Sequence, residues 1–385
     1  MHVLDILKER GFFNQCTDEA GLREHLGTPR TFYIGFDPTA DSLHVGSLVQ
    51  LMAMAWLSRG GHRAIAVVGG GTAKVGDPSG RDSTRDILDA ERLEANKRGI
   101  AGQISKFCEG KMVDNAEWLD GLGYIEVLRT IGRHFSVNDM LRAESVKQRL
   151  ERQQGLSFIE FNYVLLQSYD YLELYRREGC TLQVGGGDQW YNIISGMDLI
   201  RRLEGGHSFG LTTPLLTTAT GAKMGKTAAG AVWLSPERVT PYDYYQYWIN
   251  VDDRDVQRFL RLFTFLPVAE CDVADIRAAK RLLAREATAV VHGQEAAEAA
   301  EAAALAAFAG GVSADMPTVA VNFPVGVLAA LVATGVVSSN SEARRMVEGN
   351  AVRFGDERIT DPKHSLTEPG VLWAGKKKPF RIEPA

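Results

Sequence analysis

The chain has 385 residues, 45% of them hydrophobic and 24% charged, with a net charge of −5. That much apolar surface excludes a largely disordered chain. The length exceeds the ~150 residues of an ordinary domain, so two or three domains are expected. The acidic balance excludes a uniformly basic polyanion binder, and the scattered Cys16, Cys108, Cys180 and Cys271 lack the paired spacing of a zinc knuckle. The longest apolar run, 325–337, is too short to span a bilayer. A soluble cytoplasmic protein with reduced thiols and no membrane association is expected.

The first clear element is 31–36, Thr-Phe-Tyr-Ile-Gly-Phe, whose β-branched and aromatic residues predict a strand. Asp37 to Ser42 has turn chemistry. Val45, Leu48, Val49, Met52 and Trp56 then recur at helical spacing, with Asp41 or Ser42 as the expected N-cap and Gly60-Gly61 as the stop. A short apolar strand over 64–68 runs into Gly69-Gly-Gly71. Strand, helix, strand at this spacing is the crossover unit of a parallel sheet, and such sheets bind ligands at the carboxyl ends of their strands. Residues 86–155 read as mostly helical, with basic side chains at Arg142, Lys147, Arg149 and Arg152. A helix over 158–177, a buried strand over 181–184 ending in Gly185-Gly-Gly187, and a helix over 188–203 follow.

This alternation predicts the α/β class, with a Rossmann-like doubly wound parallel sheet over 1–216. Residues 217–230 are small and polar and begin a second region, 217–317, as a loop. The rest of that region reads as helical from 241 to 309, with Tyr244, Tyr245 and Trp248 spaced for core packing and the Ala/Glu-rich 286–307 as one long helix. After a linker over 310–317, the last segment, 318–385, holds a helix at 341–348 and two short strands around Gly355-Asp356.

Glycine is concentrated in two windows, 30–85 and 179–230, which together hold 20 of the 39. The backbone there is shaped for close approach rather than for a flexible linker. One loop in them, Asp37-Pro-Thr-Ala-Asp-Ser-Leu-His44-Val-Gly46-Ser47, joins a strand to a helix N-terminus, where backbone N–H groups favour an anion. The other, Gly221-Ala-Lys223-Met-Gly-Lys226-Thr227, has three residues between its glycines, one short of a Walker A loop, but two lysines and a threonine can still fold onto a polyphosphate. Neither glycine triplet fits the dinucleotide fingerprint, so a nicotinamide dehydrogenase is excluded.

Together these loops resemble the paired signatures of the class I aminoacyl-tRNA synthetases. The wording of Gly35 to Gly46 is similar to the bacterial-type tyrosyl branch, as are Val68-Gly-Gly-Gly71, Gly76-Asp-Pro-Ser-Gly80, Leu166-Gln-Ser-Tyr-Asp170, Gly187-Asp-Gln-Trp190 and Lys223-Met-Gly-Lys-Thr227. The resemblance runs from about residue 30 to the end. It implies a helical anticodon-region domain over 217–317. It also implies an RNA-binding domain over 318–385 like one in a ribosomal small-subunit protein, with Arg344, Arg345, Arg353 and Lys376 to Lys378 toward phosphates.

The implied substrates are L-tyrosine, ATP and tRNA(Tyr), and the implied reaction is tyrosine–tRNA ligation through a tyrosyl-adenylate. Magnesium would accompany the ATP phosphates, with no protein-built metal site and a homodimer as the assembly. The resemblance gives Thr39, His44, Lys223, Lys226 and Thr227 to catalysis, with Arg81 and Arg85 closing over pyrophosphate. It gives Tyr33, Asp77, Tyr163, Gln167, Asp170 and Gln189 to tyrosine, and Asp37, Gly46, Gly186, Asp188, Leu215 and Lys226 to ATP. Ser47 stands where the signature usually has His or Asn, and no role is assigned to it. Three rival readings are a tryptophanyl sibling, a synthetase-derived RNA-binding protein without catalysis, and a generic nucleotidyltransferase, which would not need the C-terminal RNA fold. The Tyr33–Asp170 pair speaks against the first, and intact His44, Lys223 and Lys226 against the second.

Overall fold

In the computed structural model the strand–helix–strand unit at 31–68 forms the middle of a six-stranded sheet. The structure describes residues 1–385 except 78–88, 154, 222–223, 228–229, 309–315, 356 and 376–377, with the backbone alone at 145, 226–227 and 307–308. The chain forms two compact units, Met1–Thr240 with Val251–Leu283, and Pro241–Asn250 with Ala284–Ala385. No helix among the described residues is long and apolar enough to cross a membrane.

The first unit holds β1 (Gln15–Cys16), β2 (Thr31–Phe36), β3 (Arg63–Val68), β4 (Lys111–Asp114), β5 (Cys180–Gly186) and β6 (Phe209–Thr213), in the order β1-β6-β5-β2-β3-β4. Only β1 is antiparallel to its neighbour. Chain order reverses at β2, so the carboxyl ends of β2, β3 and β5 surround a topological switch point. Strands buried on both faces need continuous apolar runs, as in Phe32 to Ile34 and Ala64 to Val68. Tyr33, Ile65, Val67, Tyr171 and Leu172 share one core, each large side chain there contributing about 1.5–3 kcal/mol by burial.

Helix α1 (Leu48–Arg59) buries eight of its 12 residues. It starts later than the sequence predicts. Neither Asp41 nor Ser42 caps it; a 3-10 turn, Val45–Ser47, precedes it, and His44 caps that turn through its imidazole. Residues 86–155 are less helical than expected. They hold α2 (Ala90–Ile104) and several short helices, but also strand β4. Its Lys-Met-Val-Asp sequence carries little apolar signal, and pairing with β3 makes it a strand. The expected helix over 158–177 is broken at Asn162, whose side chain bonds the Phe158 carbonyl (2.7 Å), and α3 (Tyr163–Glu178) restarts after it. Gly185 and Gly186 belong to β5, and α4 (Trp190–Glu204) follows a 3-10 turn. The loop predicted over 217–230 contains the two-residue strand β7 (Lys226–Thr227), paired with β8 (Gly230–Ala231).

In the second unit, Tyr244, Tyr245 and Trp248 of helix Pro241–Ile249 are fully buried, as their spacing predicts. The long helix expected over 286–307 is two, ending at His292 and restarting at Gln294, because Gly293 takes a left-handed conformation (φ 91°). The C-terminal part has the predicted helix (Asn340–Glu348) and a hairpin of Val352–Phe354 with Glu357–Arg358. That hairpin edges a five-stranded sheet completed by Gly370–Ala374, Pro379–Pro384 and Thr318–Val321. Val327, Leu331, Val347, Leu372 and Ile382 form its core.

Candidate active site

A cavity of about 580 Å³ opens at the carboxyl ends of β2, β3 and β5. Its lining brings together Tyr33, Asp37, Thr39, His44, Gly46, Asp77, Tyr163, Gln167, Asp170, Gly186, Asp188, Gln189 and Leu215. These come from stretches up to 182 positions apart, from Tyr33 to Leu215. Lys223, Arg81 and Arg85 lie outside the described residues. Lys226 and Thr227 are described only as the backbone of β7.

One end of the cavity is built on strand and helix. Tyr33 sits on β2 with 2% of its surface exposed, and its hydroxyl bonds nothing within the described chain. Burial pushes its pKa up, so it stays protonated at neutral pH. Asp170, one turn from Gln167 and two from Tyr163 on the same face of α3, is 4% exposed. It accepts the Trp118 indole N–H (2.7 Å) and the Asn115 amide (3.0 Å). Burial raises its pKa to about 7, against the downward pull of those two donors. The Asn115 amide nitrogen also donates to the Thr72 hydroxyl (3.0 Å), while its oxygen accepts the Gly71 N–H (2.8 Å). The glycine turn after β3 and the Asp170 carboxyl are therefore fixed by one amide.

A second relay crosses the cavity. Gln189 donates to Asp77 (3.0 Å), and the Asn192 amide donates to both Gln189 (3.2 Å) and Gln167 (2.9 Å). The other end of the cavity is loop. His44 Nδ1 accepts the Gly46 N–H (2.9 Å), so the neutral imidazole carries its proton on Nε2. The Asp37 to His44 segment is held by α2: Asn96 donates to the Pro38 carbonyl (2.9 Å), Gln103 accepts the Leu43 N–H (2.8 Å), and Gln103 donates to the Ser42 hydroxyl (2.9 Å).

Sequence reading missed Asn115, Trp118, Thr72, Asn192, Gln183 and Trp233, all of which line the cavity or bond a residue that does. Gln183 had a signal, a polar residue inside the apolar run of β5. Asn115 and Trp118 had none, because β4 went unrecognised. Of the basic stretch at 142–152, Arg149 is not a surface charge: it is buried against Glu160 (2.7 Å) and the Gly155 carbonyl (2.7 Å). Among the described residues no group of three or more His, Cys, Asp or Glu could hold a metal ion.

A family model described as tRNA synthetases class I (W and Y) matches residues 26–309. One described as the tyrosine–tRNA ligase SYY-like C-terminal domain matches 308–373. A tyrosine–tRNA ligase of Beijerinckia indica is 53% identical, covering 97% of this chain and 95% of its own length. One of Nitrobacter winogradskyi is 51% identical over 99% of this chain and 98% of its own. Among solved structures, a C-terminally truncated mitochondrial tyrosyl-tRNA synthetase of Aspergillus nidulans is 29% identical with a TM-score of 0.70, covering 78% of this chain and 92% of that one.

Proposed function

The chain belongs to the class I tRNA synthetases of the tryptophanyl and tyrosyl group, and from that premise we propose that it is a tyrosine–tRNA ligase. One observation carries the choice of tyrosine. The buried Tyr33 hydroxyl and the Asp170 carboxyl line the same closed end of the cavity. A phenolic hydroxyl is both donor and acceptor, and this pair offers it one of each. An indole, which has no acceptor, would leave the Tyr33 hydroxyl unsatisfied.

The substrate carboxylate, ionised at neutral pH with a pKa of roughly 3.5, attacks the α-phosphorus of ATP and expels pyrophosphate. No general base is needed; the requirement is positioning and stabilisation of phosphate charge. Thr39 and His44 supply donors from one loop, and Lys223, Lys226 and Thr227 from the other. Arg81 and Arg85 cover the pyrophosphate. Asp77, Tyr163 and Gln167 receive the substrate ammonium, with Gln189 toward its carboxylate. Asp37, Gly46, Gly186, Asp188 and Leu215 take the adenosine, Asp188 at the ribose. Magnesium would accompany the ATP phosphates, where it would offset their charge. A terminal hydroxyl of tRNA(Tyr) then attacks the adenylate carbonyl and releases AMP.

The three-part division at 216 and 317 fits this scheme. The last part offers the exposed Arg344 and Arg345, and Arg353 stacked 4.6 Å over Trp373, to RNA. A homodimer is supported by exposed apolar side chains concentrated in one stretch, including Tyr124, Ile125, Val137, Leu150 and Phe158. With tRNA as substrate, the cytoplasm is the place of action.

The test is amino-acid-dependent exchange of pyrophosphate into ATP. Tyrosine should support it, and phenylalanine and tryptophan almost not at all. Exchange with tryptophan, or with none of the three, would overturn the reading.

A further inference from the structure

The two nucleotide-side loops are laced together by a segment that neither signature includes. Residues 232–235 run antiparallel to 43–45. Val45 N–H donates to the Val232 carbonyl (2.9 Å) and Leu234 N–H to the Leu43 carbonyl (2.9 Å), with His44 and Trp233 as bridge partners. Ser235 N–H adds a bond to the Ser42 hydroxyl (3.1 Å). The same segment reaches the lysine loop, where Val232 N–H donates to the Gly225 carbonyl (2.9 Å). Gly225 has φ of 80°, and a Cβ there would lie 2.8 Å from Gly46 N. The two loops therefore touch where only glycine fits.

Side chains complete the lacing. The Trp233 ring stands edge-on to the His44 imidazole, 6.2 Å between centroids at 66°. The Arg238 guanidinium lies 4.6 Å over the Trp233 ring and pairs with Asp41 (2.6 Å). Two residues of the first loop, Asp41 and His44, thus engage one Trp–Arg stack. The imidazole is held at Nδ1 by the Gly46 N–H and across its edge by Trp233. An imidazole held at two points keeps its Nε2–H direction, which is what charge stabilisation requires of a donor.

We propose that Trp233, braced by Arg238, is a positioning residue for amino-acid activation, acting through His44. This rests on the reading of the cavity as a tyrosine and ATP site. Its contribution lies in the transition state and not in tyrosine binding, because Trp233 belongs to the loop end of the cavity.

Pyrophosphate exchange and tyrosine titration test it on wild type, Trp233→Leu, Trp233→Phe, His44→Ala and the His44→Ala/Trp233→Leu double variant. Trp233→Leu should lower exchange kcat about 30-fold with tyrosine Kd changed less than about twofold. Trp233→Phe, which restores an edge-on ring, should recover to within about threefold of wild type. In the His44→Ala background Trp233→Leu should cost less than about threefold, since its route is already cut. Fully additive losses, equal losses in the Leu and Phe variants, or a parallel loss of tyrosine affinity would overturn the proposal. If Trp233→Leu does not fold, Arg238→Gln should show the same pattern at about fivefold, again absent on His44→Ala. Absence of tyrosine-dependent exchange in wild type would overturn the enzyme reading itself. Normal exchange in Trp233→Leu would overturn this inference alone.

Discussion

The two ends of the cavity are built differently. At the end proposed for tyrosine, Tyr33 and Asp170 sit on a strand and a helix, and Asn115 fixes Asp170 from the end of a third element. All three are at least nine-tenths buried. At the end proposed for the nucleotide, Thr39 is exposed, Leu215 is 63% exposed, and the polar groups ride on loops after β2 and β6. Selectivity needs groups that cannot relax when the wrong side chain arrives, and buried groups on regular elements cannot. Stabilising a transferring phosphate needs donors that meet a charge distribution present only in the transition state, and loops can close onto it. The division predicts that variants at one end alter which amino acid is used, and variants at the other alter how fast.

The largest effect expected at the tyrosine end follows Asp170→Ala. It should raise the KM for tyrosine in exchange by about 10³-fold or more and erase most discrimination against phenylalanine, with KM for ATP little changed. Retained discrimination would move selectivity elsewhere. At the other end, Lys226→Ala should cut the single-turnover activation rate about 10²-fold or more, with tyrosine Kd within about twofold of wild type. A pure affinity loss would blur the two ends. Trp118→Phe should weaken tyrosine binding about tenfold, measured by equilibrium dialysis, because a charge-assisted donor 2.7 Å from Asp170 is lost.

The pH dependence is smaller and its sign is fixed. Burial raises Asp170 from 3.8 to about 7. Its folded pKa thus lies above its unfolded value, so the group's contribution to stability declines as pH rises from about 4 to about 7 and is level above. Tyrosine, donating its phenolic proton to the carboxylate, should bind more tightly as pH rises through about 7. The midpoint should move upward in Trp118→Phe, since the indole N–H favours the charged form. A flat profile would remove Asp170 as the titrating acceptor. The smallest effect is Asn96→Ala, which frees the Pro38 carbonyl from α2 and should lower exchange kcat about threefold without changing tyrosine affinity.

Much of this was legible in the chain because it is local. Apolar runs and glycine turns placed β2, β3 and the end of the crossover helix, and helical spacing put Tyr163, Gln167 and Asp170 on one face. The resemblance supplied a set of site residues, and the 13 whose side chains or glycine backbones the structure describes line one cavity. What the sequence could not decide is non-local. Strand β4 exists because β3 offers it an edge, and with β4 came Asn115 and Trp118, the donors that tune Asp170. The burial of Arg149 depends on Glu160, which meets it in the interior. His44 became a cap, and Trp233 its neighbour, only through backbone pairing of segments almost 190 positions apart. A residue's type and local period follow from its sequence neighbours. Its burial, hydrogen-bond partners and proton affinity follow from whatever the fold brings against it.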